Sequence, residues 1–205
     1  MHIVLTRHGQ VEGIDPPRFR GRMELALTDA GRRQAKALAD AIARRFRIDA
    51  VLTSPMQRCR DTGAAIAESC GVRDTVLPDI DDFDYGQWQW KTHAEAQAEF
   101  PSAFALWKRA PQWMRFPGGE SLQDVASRTA DALRGIRDQY HGKTVALVAH
   151  DSVNRVILLQ ALDMPLSAYW RIEQEPCCIN ELLIADDGIV KVLSINDVGH
   201  LCEPT

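Results

Sequence analysis

Two short apolar runs, residues 3–5 and 145–149, each lead at once into a histidine: His8 in IVLTRHG and His150 in VALVAHD. A third stretch, LTSPMQRCRDT, places Arg58 just after Ser54-Pro55. If the two runs are neighbouring parallel strands, His8 and His150 emerge at the same end of a sheet, with Arg7 and Arg58 beside them. Two permanent positive charges and two imidazoles around a helix start make an anion site of high local charge. Its natural occupant is a phosphoryl group. A neutral imidazole is a competent nucleophile near pH 7, and two guanidiniums bind phosphoryl oxygens bidentately and take up transition-state charge. A second, protonated histidine adds a donor to the same oxygens. What remains is a group that protonates a leaving alkoxide and then deprotonates water, and one carboxylic acid can do both. This set asks for no metal. Gly9 is expected to let the backbone turn close to the phosphoryl group without a Cβ in the way.

The elements that must carry these residues alternate. Strands are predicted over 2–6, 50–52, 75–77 and 144–149. Thr28 caps a helix in which Ala35, Leu38, Ala39, Ile42 and Phe46 recur at helical spacing. Ser54-Pro55 reads as a second helix start, cap residue followed by proline at the first helical position. Ser121 to Asp124 resembles a capping box opening a helix to about 140, and 153–162 reads as the helix after the clearest strand. Residues 177–185 and 189–195, joined by Asp186-Asp187-Gly188, form a closing hairpin. The alternation predicts a single α/β domain over 1–205, a three-layer sandwich with a mostly parallel sheet, helices on both faces and an antiparallel edge strand. Ligands of such sheets lie beyond the carboxyl ends of the strands. Residues 83–116 hold nine of the fourteen aromatics, so 83–117 is expected to form a helical lid or subdomain that shapes the entrance, its aromatics packing as core.

Composition sets outer bounds. At 205 residues, with 24 basic and 28 acidic side chains and a net charge of −4, the chain has no global basic field for nucleic acid or an anionic membrane. No run is long enough to span a bilayer and no secretory leader is evident, which predicts a cytoplasmic protein. Five cysteines without a C-x-x-C pair argue against a disulfide framework or a zinc site, and Cys177-Cys178 reads as two buried thiols. His2, His93, His141 and His200 lack the context of the other two and are taken as surface or packing residues.

The ordered motifs are Arg7-His8-Gly9, Phe19-Arg20-Gly21, Leu27-Thr28-x-x-Gly31-x-x-Gln34-Ala35, and Ser54-Pro55-x-x-Arg58 with Thr62. After these come Asp82-Phe83-x-Tyr85-Gly86-x-Trp88, Gly118-Gly119-Glu120-Ser121 and the strand ending at His150. Together they resemble the histidine phosphatase superfamily, which includes the cofactor-dependent phosphoglycerate mutases. The resemblance spans residues 3 to about 158. It implies that His8 is the residue phosphorylated, that Arg7, Arg58 and His150 form the phosphate pocket with Gly9, and that the carboxylate before the Phe-Gly-Trp element is the proton donor. It also places Arg20, Gly21 and Glu120 among the groups that meet substrate, Arg20 with the hypothesised role of pairing with a second anionic group. Four positions depart from the usual pattern. Asp82 stands for glutamate, which calls for a compensating backbone shift or another carboxylate such as Glu120; Gln10 stands for glutamate, Ile14 for asparagine and Asp151 for glycine. A carboxylate at 151 must point away from a dianion or raise the pKa of His150.

The expected activity is a metal-independent phosphomonoesterase that acts on a small phosphorylated metabolite through a phosphohistidine, without a cofactor. A mutase using the same intermediate is the alternative, disfavoured by the compact stretch between the Phe-Gly-Trp element and His150. The third reading is a catalytically weak module that binds a phosphorylated ligand. Neither the physiological substrate nor the oligomeric state follows from the sequence.

Overall fold

The computed structural model describes residues 1–201; Cys202 lies outside the described residues. In chain order the elements are β1 (His2–Arg7), α1 (Asp29–Arg45), β2 (Ala50–Thr53), α2 (Gln57–Cys70), β3 (Asp74–Val76), α3 (His93–Glu99), α4 (Pro101–Arg109), α5 (Leu122–Gln139), β4 (Thr144–Ala149), α6 (Asp151–Ala161), β5 (Ile179–Ile184) and β6 (Val190–Asp197). The strands form one sheet in the order β3-β2-β4-β1-β5-β6. The first four of these pair in parallel, and β5 is antiparallel to both β1 and β6. The reversed strand therefore sits one place in from the edge, because the Asp186-Asp187-Gly188 turn returns β6 to the common direction.

The apolar runs of β1 and β4 are buried on both faces, which is why they lack polar alternation. Ile3, Leu5, Val145 and Leu147 face a cluster built with α5 and α6, while Val4, Ala146 and Val148 face one built with α1 and α2. Two clusters separated by one sheet give three layers, as expected. Helix starts follow local chemistry: Thr28 Oγ1 accepts from Gly31 N at 3.0 Å, and Ser121 with Asp124 closes the predicted capping box. A second capping box, Thr92 with Glu95, opens α3. It lies in the aromatic-rich stretch, where short helices offer too little periodicity to reveal it.

Within that stretch Phe83, Trp88 and Phe116 are fully buried and belong to the same cluster as Ile3 and Leu5. The aromatics thus extend the core of the α5/α6 layer. Only Trp113 among the tryptophans is largely exposed, at 75%. Gly9 carries a packing constraint that the sequence did not reveal: a Cβ there would lie 2.5 Å from the Gly31 carbonyl oxygen. The tight approach is to the first turn of α1, so this glycine seats the helix against the end of β1. Among the described residues no helix is long and apolar enough to cross a membrane.

Candidate active site

Strand register brings the site together. Arg7 pairs with Ala149 and Thr53 with Val148, and the ladder continues one step further through His8 N to Ala149 O at 3.1 Å and Ser54 N to Val148 O at 3.0 Å. His8, Ser54 and His150 therefore leave three adjacent strand ends, and the two imidazoles stand 5.3 Å apart at 62°. Both histidines are 1% exposed.

His8 Nδ1 lies 2.7 Å from the Gly9 carbonyl oxygen. A carbonyl only accepts, so Nδ1 carries the hydrogen and Nε2 keeps its lone pair. Burial, with Arg58, His150 and Arg7 around it, holds the His8 pKa well below its ordinary value. The ring is therefore neutral at pH 7, with a lone pair at Nε2. His150 places Nε2 at 2.7 Å from Ser54 Oγ and Nδ1 at 3.3 Å from Asp82 Oδ2. Nδ1 faces the Asp82 carboxylate as a charge contact, and Nε2 is hydrogen-bonded with the Ser54 hydroxyl, which also reaches Asp81 Oδ1 at 3.4 Å. Burial and then Arg58, Arg128, Arg7 and Arg20 push the His150 pKa well down. The protonated second histidine expected from sequence is thus a neutral one. Asp151 does not counter this, because its Oδ1 takes Arg155 Nε at 2.7 Å.

Asp82 is brought to the pocket without glutamate's extra methylene. Its Oδ2 accepts from Arg58 Nη2 at 2.8 Å, an ion pair with Arg58 fully buried, and its Oδ1 accepts from Phe83 N at 2.8 Å. The segment before the Phe-Gly-Trp element is pinned from behind: Arg128 donates to the carbonyls of Asp79, Asp81 and Asp82 and to both oxygens of Glu120. Glu120, expected near substrate, is held by Arg128 and by Arg22 at 3.3 Å, and it lines neither the inner cavity at His8 nor the wider cleft outside it. It is a support for the loop that carries Asp82.

Arg58 spends its two terminal nitrogens on Met23 O, Gly21 O and Asp82, and Arg7 donates Nη1 to Gln174 O at 2.5 Å. The Nε–H groups of Arg7, Arg20 and Arg58 are buried and lack a partner in the protein. Buried cationic donors left open in this way call for an anion. The inner cavity is bounded by His8, Gly21, Asp82 and Ser152, and shares Arg18, Arg20, Tyr85 and Asp151 with a wider outer cleft of about 360 Å³. Ile14, Phe19, Trp107 and Trp170 also line the cleft. His93, expected only to pack or face solvent, is among its walls. Gln10 turns away, its Oε1 accepting from Thr28 Oγ1 at 2.8 Å. No group of three or more His, Cys, Asp or Glu side chains among the described residues is placed to hold a metal ion.

Ser54 was expected to cap α2, but the helix begins at Gln57 with Met56 as its cap residue. The Ser54 hydroxyl serves His150 instead, and the shift leaves Arg58 in the first turn. Residues the sequence did not flag are Arg128, Gln174 and Ser152, whose Oγ lies 2.8 Å from both Tyr85 and Tyr169 hydroxyls.

The two buried imidazoles give the stability a pH dependence. With folded pKa values below 6.5, the unfolded chain takes up protons first as pH falls, so stability is full above about 6.5 and declines below it. The limiting slope is about 1.4 kcal/mol per pH unit for each histidine. Thermal unfolding should show a lower Tm at pH 5 than at pH 7.5, and a shallower decline for His8→Asn; equal slopes for the two proteins would refute this.

Comparison with known proteins gives the same picture. Residues 3–198 match the histidine phosphatase superfamily (branch 1). The chain is 30% identical to phosphoserine phosphatase 1 of Hydrogenobacter thermophilus over 98% of its own length and 94% of that protein. It is 33% identical to a bifunctional protein of Mycobacterium tuberculosis over 97% of its own length, but spans only 54% of that relative. Among solved structures, YhfR of Bacillus stearothermophilus superposes with a TM-score of 0.91 at 26% identity, covering 98% of both chains. The strand-end histidines, the buried arginines and the match over nearly the whole length place this chain in the histidine phosphatase superfamily.

Proposed function

We propose that this chain is a metal-independent phosphomonoesterase that moves a phosphoryl group from a small phosphorylated metabolite to His8 and then to water. The observation that carries the reading is the unprotonated Nε2 of His8 beside buried guanidinium N–H groups that no protein atom satisfies. In the first step His8 Nε2 forms an N–P bond as the ester P–O bond breaks, and Asp82, in its acid form, gives its proton to the leaving alkoxide. In the second step Asp82 takes a proton from water, whose oxygen bonds to phosphorus as the N–P bond breaks. Inorganic phosphate leaves and neutral His8 returns. The open Nε–H groups of Arg7 and Arg58 and the Nδ1–H of His150 hold the phosphoryl oxygens throughout.

The phosphatase name of the relative that aligns over 94% of its length supports hydrolysis over transfer to a second substrate. The unpaired thiols of Cys59, Cys70, Cys177 and Cys178 suit the cytoplasm. p-Nitrophenyl phosphate turnover tests the reading. Phosphate should be released with no need for bisphosphoglycerate, and monophosphoglycerate should not be isomerised when bisphosphoglycerate is added. Isomerisation without net release would point to a mutase, and tight phosphate binding without turnover to a binding module. Guanidiniums supply here the charge neutralisation that metal ions give other phosphoryl-transfer sites. Prolonged EDTA treatment is therefore expected to change kcat/KM by less than about twofold; a larger loss restored by a divalent cation would overturn metal independence.

A further inference from the structure

Ser54 stands between the second imidazole and a carboxylate that the proposed reaction does not use. Its Oγ lies 2.7 Å from His150 Nε2 and 3.4 Å from Asp81 Oδ1, and it accepts from Met56 N at 3.4 Å. An amide N–H only donates, so the hydroxyl hydrogen is left with the imidazole and the carboxylate as acceptors. A neutral His150 with its hydrogen on Nδ1 takes that hydrogen at Nε2. A doubly protonated His150 reverses the bond: Nε2–H donates to Ser54 Oγ, and the hydroxyl hydrogen turns to Asp81. Ser54 and His150 are 0% and 1% exposed, so without Asp81 this second state would strand a buried donor beside an imidazolium.

Charge decides which state is populated. In the free protein burial, and then Arg58, Arg128, Arg7 and Arg20, hold the His150 pKa down. The other groups facing the ring are neutral His8, the un-ionised Cys59 thiol and the Asp82 carboxylate. A phosphoryl dianion in the inner cavity offsets two of the positive charges and favours the imidazolium, the proton coming from solvent. Asp81 is held ready for that state. Its Oδ1 accepts from Asp82 N at 2.7 Å, Arg22 Nε stands 3.5 Å from its Oδ2, and Arg128 holds its backbone carbonyl. Arg22, Asp82 and Arg128 are also the charged groups around its carboxylate.

We propose that Asp81, acting through the Ser54 hydroxyl, is a positioning residue that lets His150 carry a second proton while a phosphoryl group occupies the inner cavity. His150 then donates from both nitrogens, Nδ1 to a phosphoryl oxygen and Nε2 to Ser54, and returns to the neutral form when phosphate leaves. The relay rests on the reading that the inner cavity takes a phosphoryl group.

Inorganic phosphate is the probe, and heteronuclear NMR of the histidine ring nitrogens in isotopically labelled protein is the readout, with His150→Asn assigning the resonances. At pH 7 His150 should be neutral in the free protein and doubly protonated at saturating phosphate. Asp81→Ala should lower the ratio of doubly protonated to neutral His150 in the phosphate-bound protein by about tenfold. Asp81→Asn keeps a neutral acceptor in place and should fall between the two. Ser54→Ala should show the full loss by itself, and adding Asp81→Ala to it should change the ratio no further. The alkaline limb of kcat for p-nitrophenyl phosphate should move to lower pH in the same order. An Asp81→Ala effect that persists at full size in the Ser54→Ala background, or a phosphate-bound wild-type His150 that stays neutral, would overturn the relay. Phosphate binding with the expected protonation but no turnover of any ester would sink the phosphatase reading alone.

Discussion

His8→Ala is expected to lower turnover of p-nitrophenyl phosphate by about 10⁴-fold or more, the scale on which loss of a covalent nucleophile is felt. The size of the effect follows from how little else in the pocket can replace the ring. His150 has its Nε2 engaged with Ser54, and its Nδ1 faces the Asp82 carboxylate at 3.3 Å. Cys59 has its sulfur 3.5 Å from His150 Nε2, but burial pushes its thiol pKa up, so no thiolate forms at neutral pH. Water remains as an attacker, yet it must approach without the positioning that Gly9 and the β1 ladder give His8. Mixing the wild-type enzyme with radiolabelled substrate and quenching in alkali should trap a phosphoryl label that acid removes, as expected of a phosphoramidate. The same protocol on His8→Ala should trap none. A label that persists in the variant would assign the nucleophile elsewhere.

The parts of this site legible in the sequence are those that depend on strands buried on both faces. Such strands must be apolar along their length, so the change at Arg7-His8 and again at His150 marks where each leaves the core. Their convergence needed one further fact, that β4 inserts between β1 and β2; from the sequence it was only a condition, that the two strands be parallel neighbours. What stayed hidden is carried by single side chains that reach backbone carbonyls far away in sequence. Arg128 binds carbonyls 46 to 49 residues distant, and Gln174 meets Arg7 across 167 residues. No periodicity announces such contacts. Ser54 shows the opposite difficulty: a serine before proline satisfies a local rule for capping, and a tertiary hydrogen bond to His150 overrides it. Gly9 was correctly marked as a backbone in close quarters, but its neighbour is a helix turn that only packing could reveal. For Asp151 the sequence left two alternatives, turning away from the dianion or partnering the adjacent His150, and the helical spacing of four residues gives its Oδ1 to Arg155.

The same geometry makes Asp82 answer two questions at once, because its carboxylate is both the candidate proton carrier and the counter-charge of Arg58. Asp82→Asn keeps the shape, the Phe83 N–H contact through its amide oxygen, and the loop held by Arg128, while removing the proton and the charge. For an alkyl phosphate, whose alkoxide leaves poorly, the loss in kcat should be about 10²- to 10⁴-fold. p-Nitrophenolate leaves with little need of a proton, so kcat for p-nitrophenyl phosphate should fall far less. The buried Arg58 then lacks its carboxylate, which costs up to about 3–5 kcal/mol when one partner of an enclosed ion pair is lost; the Tm in phosphate-free buffer should fall accordingly. Inorganic phosphate can supply the missing anion, and without the repulsion of Asp82 it should bind the variant more tightly than the wild-type enzyme. A larger phosphate-induced rise in Tm for Asp82→Asn is therefore the expected companion of its leaving-group dependence. If both esters slowed equally while phosphate still bound more tightly, Asp82 would be a counter-charge only, and the proton would have to come from another group in the pocket.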